Sequence, residues 1–192
     1  MKNITKVVSR IFNQKVGAEF KEWRKSVKAK SFNHNPYGIH GIGHTERVLV
    51  HALNLSNVLG LPEHEKEILA KSAIYHDIGR IHDYEDEEHG YYAVLMMQNN
   101  HTDAVRGMSK EARNILNYII EQHCVEDTKA YGNVRAYDIK DRDRAIYLLK
   151  VFKDADGLER VRLGDLDVSY LRNEPSKNMV DKAQKLLEAY YR

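Results

Sequence analysis

Apolar residues recur at three- and four-residue steps along most of this 192-residue chain, which leaves little room for anything but helices. Between residues 4 and 27 the repeat is carried by Val8, Ile11, Phe12, Val16, Phe20, Trp23 and Val27, with basic residues between them. A turn-rich stretch over Ser31–Gly43 reads as a loop. The next helix is expected to start near His44 or Thr45 and to run through Val48, Leu49, Ala52, Leu53 and Ser56 to a stop at Gly60. Pro62 then reads as the first helical position, with Glu63 and Glu65 in a first turn where the dipole favours acids. That helix continues through Ile68, Leu69 and Ala73 into His76-Asp77. Further helices are expected at about 89–99, 109–123, 141–160 and 176–191. Strand-type alternation is nearly absent, and Asn133–Tyr137 reads as at most a short extended piece. The fold class is all-α, a compact helical bundle.

The length fits one domain, and 42% hydrophobic with 30% charged residues suffices for a packed core. The expected organisation is an N-terminal amphipathic helix over 1–33 packed on the body, a helical core over 34–165, and a C-terminal accessory segment and helix over 166–192. Thirty basic against 28 acidic residues give a net charge of +2, too balanced to point to a nucleic-acid or membrane partner. The nine Lys or Arg between Lys2 and Lys30 read as the solvated face of a docking helix, nucleic-acid binding being the minor reading. No apolar run is long enough for a membrane span, and the N-terminus lacks a signal-peptide core. The single cysteine, Cys124, excludes an intramolecular disulfide framework and reads as a small filler residue. A cytoplasmic location is expected, and Trp23 or Tyr190 can pack on the body or on a second copy, so a homo-oligomer stays open.

Ten histidines are an excess for this length. His76-Asp77 ends an apolar helix, where both side chains must find partners once desolvated. His44 opens the preceding helix on the face of Val48 and Ala52 and is turned inward with it. Far downstream, Asp156 shares a stripe with Phe152 and Leu149, while Asp154 follows Val151 and Tyr147. Two imidazoles and two carboxylates converging from three helices form a mixed nitrogen and oxygen set. Such a set suits Mn²⁺, Fe²⁺, Co²⁺, Ni²⁺ or Zn²⁺ with positions open to water.

The order His44-Thr45-Glu46-Arg47-Val48, then His76-Asp77-Ile78-Gly79, then Ala155-Asp156-Gly157-Leu158 resembles the HD-domain superfamily of metal-dependent phosphohydrolases over roughly residues 34–165. The resemblance implies an HD-type bundle and makes His44, His76, Asp77 and one of Asp154 and Asp156 the metal ligands. Asp156 is preferred, for its stripe and its Ala-Asp context. In some branches of the family extra histidines bind a second metal or the substrate phosphate. His89 and His123 are the candidates here, and if both reach the site, Asp77 bridges two ions. His40 and His82 read as loop or surface residues, and the run Asp83–Glu88 as a solvated acidic turn.

A bound divalent ion lowers the pKa of water from about 15.7 toward roughly 7, and Asp77 is then placed to accept a proton. A phosphate substrate needs cationic clamps. Arg80 is the preferred one, with Arg47 also close to the ligands, and Arg160 and Arg162 come after them. The expected activity is hydrolysis of a phosphate ester in a nucleotide or similar small metabolite. A di-iron oxygenase of the HD type and a catalytically silent nucleotide sensor are the alternatives.

Overall fold

The computed structural model describes residues 4–191; Met1–Asn3 and Arg192, which belong to the expected terminal segments, lie outside the described residues. Among the described residues no strand forms, and the chain is all-α as expected. The helices are α1 (Ile4–Ile11), α2 (Gln14–Trp23), α3 (Ile42–Val58), α4 (Glu63–Tyr75), α5 (His89–Asn100), α6 (Lys110–Gln122), α7 (Asp127–Asn133), α8 (Arg142–Gly157), α9 (Glu174–Lys177) and α10 (Val180–Tyr191).

α3 is the central element: every residue from His44 to Ser56 is buried. It packs on α2, α4 and α8, while α6 lies against α4, α5 and α8. A helix buried on all sides has no solvated face, so its polar residues find partners inside the protein or, like the Thr45 hydroxyl and the His51 ring, go without one. α1 and α10 pack on each other, and α10 also covers the 3₁₀ segment Leu158–Arg162 that continues α8. Tyr118, Phe20, Phe152 and Leu49 are among the largest fully buried side chains.

The helix ends explain where the boundaries differ from those read off the periodicity. The expected helix over 4–27 is two, because the Asn13 side chain accepts the Val16 N–H at 2.9 Å and starts α2 afresh. α3 begins at Ile42, two residues earlier than expected. Pro62 has extended backbone and caps α4 from outside instead of opening it. Val134–Ala136 is a 3₁₀ turn and not an extended piece. It follows α7, which the sequence pattern did not announce and which Glu126 caps through the Thr128 and Lys129 N–H groups. The expected C-terminal helix divides into α9 and α10.

Candidate metal centre

Two close approaches between backbones bring the histidines together. A Cβ on Gly79 would stand 2.2 Å from the Ala93 nitrogen and 2.6 Å from the His89 carbonyl oxygen, so only glycine lets the turn after His76-Asp77 lie against α5. A Cβ on Gly90 would stand 2.5 Å from the Ile120 carbonyl oxygen, which sets the start of α5 against the end of α6. His89 thereby reaches Asp77 on one side and His123 on the other.

Each of four imidazoles is anchored through Nδ1 by an oxygen acceptor. His76 Nδ1 donates to the Ala73 carbonyl at 2.9 Å, His123 Nδ1 to that of Ile120 at 2.7 Å, and His89 Nδ1 to that of Asp86 at 2.5 Å. His44 Nδ1 donates to Glu159 Oε2 at 3.3 Å. With the Nδ1 proton assigned by these acceptors, every Nε2 turns inward as a lone-pair donor. The Nε2 atoms of His44 and His76 lie 3.1 Å apart, and those of His89 and His123 lie 3.0 Å apart. Two lone pairs repel at that distance unless a cation, a proton or a metal ion, lies between them. This donor set therefore fits a metal.

Asp77 stands between the pairs. Its Oδ2 is 3.4 Å from both His44 Nε2 and His76 Nε2, and its Oδ1 is 3.1 Å from His89 Nε2 and 3.7 Å from His123 Nε2. Asp156 Oδ1 joins the first pair at 3.3 Å from His44 Nε2 and 3.9 Å from His76 Nε2. The structure brings together His44, His76, Asp77, Asp156, His89 and His123. His44, His76 and Asp77 form one group able to hold a metal ion, and His89, His123 and Cys124 form another.

It does not bring Asp154 to this centre. That side chain is fully buried on the opposite side of α8, where it accepts the backbone N–H groups of Arg172 and Asn173 at 2.8 Å and 2.7 Å and the Ser176 hydroxyl at 2.6 Å. Nor does Arg47 face the cavity. Its Nε donates to Glu159 Oε1 at 2.8 Å, and the guanidinium lies 5.1 Å from the Tyr190 ring centroid. Arg80 does reach the centre, its Nε donating to Asp77 Oδ1 at 2.8 Å and its Nη1 to the Tyr84 carbonyl at 3.2 Å.

The electrostatics follow from this crowding. Burial raises the energy of an ionised Asp77, but the surrounding rings of His76, His123, His44 and His89 hold its carboxyl well below the usual range. Burial opposes a charge on His44 too, yet hydrogen bonds to Asp156, Asp77 and Glu159 outweigh it and raise its pKa to about 10. His89 is raised to about 10 against its own burial by Asp77 and Cys124. His76 is pushed by burial down to about 3. The centre thus holds positive charge at one member of each histidine pair, where a metal ion would supply it.

Some residues at the site were not singled out by sequence. Glu159 is fully buried and holds both His44 and Arg47, and only its helical spacing from Asp156 hinted at this. Cys124, expected as filler, lies beside His89 and His123, and its thiol is lowered to about 7 against burial by the His123 charge and the His89 hydrogen bond. His40, read as a loop or surface residue, does lie in the loop before α3, and it also lines the cavity, with Nδ1 3.0 Å from Asp83 Oδ1.

The centre forms the floor of a cavity of about 550 Å³, within the size range of small-molecule sites. Its wall comes from the end of α8, from Arg160 and Arg162, and from the segment between Leu163 and Arg172. Among the described residues no helix is long and apolar enough to cross a membrane. A comparison with curated proteins returns no match. A family model described as HD domain matches residues 41–161, a span that holds both histidine pairs, Asp77 and Asp156. The chain belongs to the HD-domain superfamily of metal-dependent phosphohydrolases.

Proposed function

We propose that this protein hydrolyses a phosphate ester in a nucleotide or similar small phosphorylated metabolite with the help of one or two divalent transition-metal ions, Mn, Fe, Co, Ni or Zn. The observation that supports the reading best is the sharing of Asp77 between two histidine pairs, one oxygen toward each. In this reading His44, His76, Asp77 and Asp156 hold a first ion, and His89, His123 and Asp77 hold a second. When bound, a divalent cation makes water acidic enough to lose a proton near neutral pH and draws negative charge toward itself at phosphorus-bound oxygen.

The chain's own residues do the rest. Asp77 stays ionised and so remains a hydrogen-bond acceptor for the attacking water. Arg80 fixes the rotamer of Asp77 through Nε and keeps other N–H groups for substrate oxygen. Glu159 orients the His44 ring, and Arg47 neutralises Glu159. Asp156, its side chain 32% exposed, meets the cavity from the end of α8. A cytoplasmic location, a small-molecule partner and a division into a core over 34–165 with accessory segments on either side belong to the same proposal.

Reconstitution of the purified protein with each metal, metal analysis, and a free-phosphate screen over nucleotides and other phosphoesters test the reading. One or two metal equivalents and phosphate release that His76→Ala and Asp77→Ala both abolish are expected. Variants with unchanged metal and unchanged activity overturn it. The paired histidines around one carboxylate also suit a di-iron oxygenase, which oxygen consumption without phosphate release would select. Tight nucleotide binding without turnover would select a sensor.

A further inference from the structure

We infer that the substrate is a nucleoside monophosphate, its phosphate gripped by Arg162 beside the metal centre and its base stacked on Tyr170 at the cavity rim. The inference rests on the hydrolase reading above and adds the substrate class and two recognition residues.

Five Lys or Arg side chains line the cavity, and four of them are paired with carboxylates. Arg80 is tied to Asp77 and Tyr84. Arg160 pairs with Asp165. Arg172 is held by Asp127 and Asp154, and Lys153 by Asp127 and the Val125 carbonyl. Arg162 differs. Its Nη1 donates to the Glu159 carbonyl at 3.2 Å, its Nε is buried without a hydrogen-bond partner, and no carboxylate pairs with it among the described residues. A guanidinium that lines the cavity with no carboxylate to neutralise it lacks a countercharge, and an incoming phosphate oxygen would supply one. The unpaired Arg162, together with the N–H groups that Arg80 keeps, serves one phosphoryl group beside the centre. A di- or triphosphate would need further free cations that the wall does not offer.

The rim has the opposite character. Tyr170 is 75% exposed and Leu163 is 47% exposed, and both line the same cavity as Arg162 and Asp156. Large apolar side chains held open to solvent above a polar floor match a ligand with an anionic end and a flat apolar end. A nucleobase stacks on a tyrosine ring whatever its sequence identity, because every base offers a π face.

The test is calorimetric titration of the metal-loaded protein with two phosphonates, analogues of AMP and of ribose 5-phosphate in which CH₂ replaces the bridging ester oxygen. The AMP analogue is expected to bind about tenfold or more tightly than its partner. Tyr170→Ala should erase that preference, and Tyr170→Phe should keep it. Arg162→Ala should weaken both ligands by about 10- to 100-fold, and Arg162→Lys should recover only part of the loss. Equal affinities in the unaltered protein, a preference untouched by Tyr170→Ala, or an Arg162→Ala variant with unchanged affinities would each overturn the inference. Metal content and phosphate release are measured separately. A protein that releases phosphate yet shows no such preference loses this inference and keeps the hydrolase reading, and one that shows the preference without phosphate release keeps the nucleotide-binding site but loses the hydrolase reading and, with it, the substrate.

Discussion

Asp154 Oδ1 accepts the backbone N–H of Arg172 at 2.8 Å, clamping the end of α8 to the strap of chain that leads into α9. Its Oδ2 accepts the Asn173 backbone N–H, the Asn173 side-chain amide and the Ser176 hydroxyl at 2.7, 2.8 and 2.6 Å. Asp156, two residues on, turns the other way and stands 3.3 Å from His44 Nε2. The two substitutions should therefore part company. Asp154→Ala strands several buried donors and is expected to cost about 3–5 kcal/mol of stability. Asp156→Ala should change stability by less than about 1 kcal/mol while lowering metal affinity sharply. Thermal melts beside metal titrations of both variants check this, and the reverse order would remove Asp156 from the centre.

Glu159 acts on the centre through His44 and not by touching it. Its Oε2 accepts His44 Nδ1–H at 3.3 Å, and Arg47 Nη2 donates to the same oxygen at 2.8 Å. A carboxylate behind an imidazole raises the basicity of the inward nitrogen and locks the ring. Glu159→Gln keeps the shape but removes the charge and leaves Arg47 buried without its ion pair. Metal affinity is expected to fall about 10- to 100-fold, on the scale usual for such partners. Competition with a coloured chelator measures it, and an unchanged affinity would make Glu159 a partner of Arg47 alone.

Much of this arrangement was legible in the residues, and the illegible parts share a cause. Periodicity located the long helices because burial of one face dictates it. The stripe through Leu149, Phe152 and Asp156 also pointed inward, and the Phe152 ring lies 5.5 Å from that of His76. Asp154 gave no local sign of its task, because its partners are main-chain N–H groups 18 and 19 residues downstream. Arg47 looked like a phosphate ligand by its nearness to His44 along the chain. One helical turn carries its guanidinium instead to Glu159, 112 residues away. The split at Asn13 and the unexpected α7 depend on caps, which override a continuing or absent apolar pattern.

His51 should give the fold a pH dependence separate from the chemistry. It is fully buried in α3 with neither ring nitrogen hydrogen-bonded, its ring centroid 6.0 Å from that of Phe12. Burial pushes its pKa from 6.5 down to about 4, opposed by the Glu159 charge and aided by those of Arg47 and His44. Between those two values the unfolded chain holds a proton that the folded chain lacks. Stability is therefore expected to fall as pH drops from 6.5 toward 4 and to level off below, by about 3 kcal/mol in all from this residue. Urea titrations at several pH values in metal-free buffer would measure the slope. His51→Leu should flatten it relative to the unaltered protein, and an equal slope in the variant would assign the dependence to other groups.

The two histidine pairs make separate predictions about metal. Facing Nε2 atoms 3.1 Å and 3.0 Å apart need a cation between them, and a metal ion can take the place of the proton there. Metal that binds only the folded chain stabilises it by about 2.7 kcal/mol at a hundredfold excess over Kd. Addition of Mn²⁺ or Co²⁺ should thus raise the unfolding midpoint, and a chelator should reverse the rise. Because Asp77 serves both pairs, Asp77→Ala is expected to abolish the whole effect. His89→Ala should remove one ion and leave the pair of His44 and His76 loaded. Metal analysis after dialysis would then read two equivalents per chain in the unaltered protein, one in His89→Ala and none in Asp77→Ala. A single equivalent that survives His89→Ala unchanged would mean that the second pair holds no metal, and would leave His89 and His123 to the substrate phosphate.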